Sequence, residues 1–568
     1  MADSGTCSEA SARRAASRTF ARAALPIAIY AALAVCATWP LAARIGSALP
    51  RGHLSNGALQ FFNLWTLEWN ADRIRHGFAG YWRAPIFYPE THAFAFSEPM
   101  PLTGAAFALL APVTGPVAGY NLVLLSFLVL NGIATRRLMI AGGVDGRTAL
   151  AGGALGVIVP FALKELGVLQ LTALFPVIFA FAELCWLFRA PSAAGFVRLA
   201  LWFAATLGTC VYYALFLSVF LALFACALLN RALLRRDLLL GAAAALAIAG
   251  AAAAPIALGQ RPALARFERS AASIKRGSAL ASSYLSLPPR TLAARATHLP
   301  SRGRTLYPGV VLCALALLGL DAAARSPQKR WLWCCAAGAG LAALFSLGTR
   351  LEIAGVQPYA LTLQRFVPGF AQLRSPYRFG AFAQVLLLPL AGLGLARLAR
   401  LPLARRTRGA TCAALIAVVA LAYADVVPLG QKLAPFPAAA LREPWVAWLA
   451  AHPEGVVAML PPEVNGKLHA FEPITLAMLQ GLAHGHPLLN GYSGFFPKRT
   501  SRLNKAMRAF PAPDGIAALR GAGVRFAAAD TTWLDDQDAL ATLQRMGDAA
   551  PRIVHRDPRR VIFDLGAR

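Results

Sequence analysis

Eleven predominantly apolar runs divide this chain, near residues 23–43, 117–138, 148–163, 167–188, 196–211, 212–229, 237–258, 307–322, 331–348, 380–399 and 409–428. The hydrocarbon core of a bilayer is about 30 Å thick, and roughly 20 helical residues cross it. In lipid the backbone must bond to itself, so runs of this length span as helices. Over 568 residues the chain is 57% hydrophobic and 14% charged, with mean hydropathy +0.54. A water-soluble protein of that size cannot hide so much apolar surface. The expected architecture is an α-helical polytopic membrane protein with about eleven transmembrane helices, ten to twelve once the shorter runs are allowed for.

Charge orients these spans. The net charge is +29, and only 7 of the 55 basic residues are Lys. Many of them sit at the ends of apolar runs, as in Arg136-Arg137, Arg231, Arg235-Arg236, Lys329-Arg330 and Arg405-Arg406. Cytoplasmic loops carry positive charge in this way, so no nucleic-acid partner is read from the basicity. The abundance of Arg and Ala reads as genomic composition bias. Residues 1–22 are polar, basic and Ala/Ser-rich, a composition expected of a disordered cytoplasmic arm. The run that follows is longer than the apolar core of a signal peptide and reads as a retained anchor with its N-terminus inside. Alternation then puts Arg136–Arg147, Arg189–Arg198, Asn230–Arg236, Arg325–Arg330 and Arg400–Arg408 inside. It puts 46–103, 259–305, Thr349–Phe379 and the C-terminal tail outside. The outer 259–305 loop is also basic, which long translocated loops tolerate and which would suit an anionic partner.

The transmembrane domain is thus expected over 23–430, with external loops 46–103 and 259–305, and an extracytoplasmic α/β domain over 431–568. In that last domain Val456–Leu460, Val524–Ala529 and Arg559–Asp564 read as strands. Pro473–Ala483, Pro513–Gly521 and Asp535–Met546 read as helices. In the first loop, Ala58–His76 has helical spacing and Leu102–Pro112 is apolar but too short to span, so both read as helices lying at the membrane surface. Trp65, Trp69, Tyr81 and Trp82 suit such an interface. The nine Cys fall in apolar stretches or the N-terminal tail and imply no disulfide framework.

Nucleotide-binding glycine loops and CxxC pairs are missing from the sequence. His484-Gly-His486 is a weak metal pair with no carboxylate close in sequence. Chemistry concentrates in the first loop, which carries Glu68, Asp72, Glu90 and Glu98. A carboxylate there could act as a general base or hold a divalent cation against a sugar-linked phosphate; the plainer role is a solvated charge or a partner of Arg73, Arg75 or Arg83. Glu98 lies in Phe94-Ala-Phe-Ser-Glu-Pro99, where apolar neighbours would partly desolvate it and raise its basicity. Before a later span, Leu373-Arg-Ser-Pro-Tyr-Arg-Phe379 sets Arg374 and Arg378 at headgroup level, with Arg302 and Arg304 able to join them. Guanidinium groups suit a lipid phosphate, although snorkelling alone would also place them there.

Gln60-Phe-Phe-Asn-Leu-Trp-Thr-Leu-Glu-Trp69, Ala84-Pro-Ile-Phe-Tyr-Pro89 and Phe96-Ser-Glu98 resemble the first loop of bacterial integral membrane glycosyltransferases of the GT-C type. Tyr307-Pro-Gly309, Leu373–Phe379 and Leu489-Asn-Gly-Tyr-Ser-Gly-Phe-Phe-Pro497 resemble the later motifs of one branch, and the likeness runs from about 45 to 530. The resemblance implies a bundle of roughly eleven helices. It also implies transfer of a sugar from a polyprenyl-phosphate carrier to a glycan, lipid or protein acceptor at the outer face of the bacterial inner membrane. Related enzymes use a first-loop carboxylate as base, and some bind a divalent metal. The acidic residue that opens the first-loop helix in that family is replaced here: the place reads Leu54-Ser-Asn-Gly-Ala58, with Asn56 nearest. An amide cannot serve as base. Either Glu68, Asp72 or Glu98 does that work, with Arg374, Arg378 and Arg304 on the lipid phosphate, or the chain is a non-enzymatic flippase-like or assembly component of the same fold.

Overall fold

Helices occupy nearly every apolar run. The computed structural model describes residues 24–229, 233, 235–297, 304–402, 407–462, 468–536 and 539–566, so the arm at 1–22 and Arg302 lie outside the described residues. In chain order the elements are α1 (Ala24–Ala37), β1 (Ala48–Pro50), α2 (Ala58–Arg75), α3 (Pro101–Thr114), α4 (Pro116–Ala141), α5 (Gly146–Val157), α6 (Pro160–Lys164), α7 (Phe175–Arg189), α8 (Ala193–Thr209), α9 (Val211–Leu228) and α10 (Arg236–Leu264). Next come α11 (Ala271–Arg276), α12 (Leu292–Thr297), α13 (Val310–Arg325), α14 (Lys329–Ser346), α15 (Phe379–Ala399) and α16 (Arg408–Val426). The C-terminal stretch adds β2 (Leu433–Pro435), α17 (Pro444–Ala451), β3 (Val456–Leu460), α18 (Glu472–His484), α19 (Thr500–Ala509), α20 (Pro513–Gly521), β4 (Val524–Asp530), α21 (Thr531–Asp536), α22 (Ala539–Met546), β5 (Arg552–Arg556) and β6 (Arg560–Asp564).

Among the described residues 7 stretches are long and apolar enough to cross a membrane: Pro116–Ala141, Gly146–Lys164, Leu169–Arg189, Val211–Leu228, Arg236–Leu264, Pro376–Ala399 and Arg408–Val426. Helices α1, α3 and α8 are apolar but shorter. Proline sets several boundaries. The run at 148–163 breaks into α5 and α6 because Pro160 lacks an amide hydrogen and opens a new helix.

One compact unit comprises the described residues up to Ala43, Leu122–Ala253 and Glu268–Lys432. Its centre is α15, packed on α13 and α14, with 94% of the apolar window Pro376–Ala399 buried. The α13–α15 contact needs Gly394, where an added Cβ would sit 1.9 Å from the Leu315 carbonyl oxygen. By contrast only 22% of the α16 window is covered, the state lipid satisfies. Two buried polar side chains anchor this unit. Gln384 accepts from the Phe161 amide at 2.9 Å and donates to the Leu306 carbonyl at 3.1 Å. Asp425 accepts from the Tyr307 hydroxyl at 2.6 Å and from the Val311 amide at 3.2 Å.

The second unit comprises Arg44–Asn121, Ala254–Phe267 and Leu433–Arg568, so the first loop shares it with the C-terminal stretch. Its sheet has the order β3-β4-β6-β5, with β3 parallel to β4 and the other pairs antiparallel. Apolar residues of β3, β4 and β6 meet Leu489, Phe510, Ile516 and Leu519 in one core. Strand β1 of the first loop pairs antiparallel with β2, Leu49 opposite Ala434. Two motifs distant in sequence also join: the Phe87 amide donates to the Asn490 carbonyl at 3.1 Å, and Tyr88 to Leu488 at 3.0 Å. Trp65 and Trp69, read from sequence as interfacial, are instead 1% and 6% exposed. They stack on one another with centroids 6.5 Å apart and meet Phe94, because the loop folds back over α2.

Candidate functional site

Helix α2 begins at Ala58, and its first amides have no partner within the helix, which leaves partial positive charge there. Asn56 Oδ1 accepts the Ala58 amide at 3.4 Å, and the Gly57 amide donates to Glu472 Oε2 at 3.3 Å. The carboxylate expected at the head of this helix and missing from the local sequence is therefore supplied by the first residue of α18. Beside it lies a pocket of about 580 Å³ lined by Phe61, Phe436, Glu472, Pro473 and Leu476 among others. Glu68 lies further along α2, eleven residues past Gly57, roughly 16 Å at 1.5 Å per residue. One reacting atom cannot be served by both ends of that interval. Glu68 is half-buried, and burial pushes its carboxyl above the ordinary range, offset in part by Arg75.

The remaining first-loop acids are committed to different degrees. Asp72 is gripped by Arg73, whose Nε donates to Oδ2 at 2.8 Å, and His76 Nδ1 lies 3.4 Å from Oδ1. Glu90 pairs with Arg266 at 3.1 Å. Glu98 is half-buried, and the carbonyls on both sides of it are pinned: Gln260 Nε2 donates to Ser97 at 2.9 Å and Asn70 Nδ2 to Pro99 at 2.7 Å. Met100 then turns through the left-handed region at φ 50° to start α3.

The other unit carries a cationic cluster. Lys164 Nζ lies 3.4 Å from Oε1 of Glu165, which is 0% exposed, and Tyr377 donates its hydroxyl to the same oxygen at 3.1 Å. Lys164 and Arg304 sit over the Tyr377 ring at 4.9 and 4.3 Å, and Arg378 over the Tyr212 ring at 4.2 Å. Arg269 Nε donates to the Gln372 carbonyl at 3.4 Å. Burial and the neighbouring Arg374 push the Arg269 guanidinium down to about 10, with Tyr212 opposing, so it stays charged at neutral pH. Arg374 itself is exposed. Its loop rests on Gly277, where a Cβ would lie 1.7 Å from the Arg374 carbonyl oxygen. Lys164 and Arg304 thus gather on Tyr377 beside the buried Glu165, with Arg378 on Tyr212 and Arg269 near Arg374, a basic region able to hold a phosphate by charge-assisted hydrogen bonds.

All three sequence-expected arginines lie in this unit, and Arg304, Arg378 and Arg374 share the cluster's aromatic and charged neighbours. Lys164, Glu165 and Arg269 escaped sequence reasoning. The charged pair between two apolar runs was the available signal for the first two; Arg269 had none. Glu472 escaped because its partner is 415 positions away. Among the described residues no group of three or more His, Cys, Asp and Glu could hold a metal ion. His486 does not form a metal pair with His484, because its ring nitrogens lie 2.8 and 3.0 Å from the Gly455 and Leu449 carbonyls. Burial, and then His486, push the His484 ring down to about 3. Among the described residues the donor sets do not fit a resident metal.

No protein-family model matches the sequence, and no curated protein matches it. Among solved structures the chain is similar to the arabinofuranosyltransferase AftD from Mycobacteria, with TM-score 0.60 and 15% identity over 96% of this chain and 40% of that one. It is also similar to the Archaeoglobus fulgidus oligosaccharyltransferase in its apo form, with TM-score 0.51 and 12% identity over 89% of this chain and 69% of that one. The chain has the GT-C fold. It spans about two fifths of the length of the mycobacterial transferase. In this chain the first-loop helix α2 is headed by Asn56 and Glu472.

Proposed function

We propose that this chain is a membrane glycosyltransferase that moves a sugar from a polyprenyl-phosphate carrier to a cell-envelope acceptor on the outer face of the bacterial inner membrane. The observation that carries the reading is the basic region about Tyr377, Tyr212 and the buried Glu165. In this reading Arg374, Arg378, Arg304, Lys164 and Arg269 hold the carrier phosphate, and Glu165 and Tyr377 keep the cations in register. A carboxylate takes the acceptor hydroxyl proton. The acceptor oxygen then bonds to the anomeric carbon as the carbon–oxygen bond to phosphate breaks, and the electron pair leaves with the carrier phosphate. Direct displacement inverts the anomeric centre. For the base, Glu472, Glu68 and Glu98 are the choices the geometry supports, since Asp72 is neutralised by Arg73 and Asn56 is an amide.

The proposed domain plan is a transmembrane domain over 23–430, in which α1, α8, α13 and α14 supplement the longer spans to give about eleven crossings, and an extracytoplasmic domain over 431–568. The N-terminus is cytoplasmic. One observation favours a second reading, a flippase-like or assembly component: no acid stands at the head of α2 in the local sequence. The two readings separate in a transfer assay with polyprenyl-phosphate-linked radiolabelled sugar, comparing wild type with Arg374→Ala, Glu472→Gln, Glu68→Gln and Glu98→Gln. Loss of transfer in Arg374→Ala and in one carboxylate variant supports the transferase, and full transfer in all three carboxylate variants removes them as bases.

A further inference from the structure

A second cavity, of about 650 Å³, opens where the basic ends of α4, α7 and α8 meet. Arg136, Arg137 and Arg198 line it together with Ile133, Phe179 and Trp186. Ile133 lies three residues before Arg136 and Phe179 four before Glu183, so each stands about one helical turn, roughly 5 Å, to one side of the polar groups, with Ile140 and Trp186 on the other. Glu183, with its side chain 1% exposed, fixes the polar groups: one oxygen holds Arg137 and the other accepts Arg198 Nε at 2.9 Å. Arg136 stands outside that bridge, and its Nε is buried without a hydrogen-bond partner among the described residues. Three guanidinium groups against one carboxylate leave the polar part positive. Nothing in the glycosyl-transfer reading uses this place.

We infer that this cavity binds one anionic phospholipid through its phosphate, with the headgroup on Arg136 and on the outward N–H groups of Arg137 and Arg198, and an acyl chain along Ile133 and Phe179. The match is one of shape and charge together: planar guanidinium groups that can grip phosphate oxygens by paired hydrogen bonds, with apolar side chains one turn along the same helices. The basic ends of these helices are the cytoplasmic ones by the positive-inside rule, so the ligand belongs to the inner leaflet.

The test is native mass spectrometry of the purified full chain with added dioleoyl-phosphatidylglycerol or dioleoyl-phosphatidylcholine. Wild type is expected to retain one phosphatidylglycerol in preference to phosphatidylcholine. Arg136→Gln should weaken that retention roughly fivefold, the worth of one basic contact at a lipid surface. Ile133→Trp should reduce it by filling the cavity with the charges intact, and it carries the test if Arg136→Gln does not fold. Arg235→Gln, which alters an exposed pair with Asp237, should bind as wild type. Equal retention of the two lipids by wild type, or wild-type binding by both cavity variants, overturns the inference. Thermal stabilisation by inorganic phosphate with no lipid retained overturns the lipid assignment.

Discussion

Glu472 Oε2 accepts the Gly57 amide at 3.3 Å, so a residue of the C-terminal stretch stands at the head of the first-loop helix beside Asn56. The charge there suits the helix dipole, but an exposed anion in that position contributes only about 0.3–1 kcal/mol. Glu472→Gln keeps the shape and removes the base. If Glu472 takes the acceptor proton, transfer should fall about 10²–10⁴-fold while thermal unfolding moves little. Initial transfer rates and a melting curve on the same sample check this; a large loss of stability with proportionate loss of activity would make the residue merely a helix anchor.

Glu68 gives a stability signature that does not depend on catalysis. Burial raises its carboxyl pKa in the folded chain above the ordinary range. The folded state then binds its proton more tightly than the unfolded state, so this group's favourable contribution is complete below the unfolded pKa and is lost as pH rises through the folded one. Glu68→Gln removes the cost of the buried charge. Its melting temperature relative to wild type should rise between pH 4 and pH 8, and a difference that falls over that interval would contradict the assignment.

In the cationic cluster, Arg374→Ala and Arg269→Ala should act on the carrier. A charge-assisted hydrogen bond to phosphate is worth about 1.5–3 kcal/mol, so each substitution should raise the KM for the lipid-linked donor roughly ten- to a hundred-fold and leave the acceptor KM unchanged. Steady-state kinetics with the two substrates varied separately distinguish this from a general loss of fold.

Tyr377→Phe removes the hydroxyl that donates to the buried Glu165 at 3.1 Å. A buried carboxylate deprived of one donor costs about 1.5–3 kcal/mol. The variant should melt at lower temperature, while the donor KM should move little, since Phe keeps the ring on which Lys164 and Arg304 lie. Tyr377→Phe with unchanged melting would mean that the hydroxyl is dispensable.

Local pattern made much of this fold legible. Pro513–Gly521 was readable because Pro513 opens the helix, and Val456–Leu460 because five apolar residues in a row mark a strand buried throughout. Strand β5 was not, since Arg552–Arg556 is a polar edge strand paired on one side only, with no alternation of burial. The helix read over Asp535–Met546 begins earlier, at Thr531, because Asp530 Oδ1 caps it by accepting the Trp533 amide at 3.3 Å; a second helix covers Ala539–Met546. Site residues followed the same division. Arg304, Arg374 and Arg378 could be read from their place before a span, whereas Arg269, Glu165 and Glu472 take their meaning from partners brought near only by folding.

The most direct test is release of carrier. Purified wild-type chain in liposomes is given a panel of polyprenyl-phosphate-linked radiolabelled sugars and a cell-envelope extract, and label is followed in both the lipid and the acceptor fractions. Transfer chemistry predicts that label leaves the lipid with at least one sugar, appears on acceptor together with free polyprenyl phosphate, and stays on the lipid in Arg374→Ala. Label that remains on the carrier with every sugar in the panel, while the labelled lipid crosses the bilayer, would contradict it.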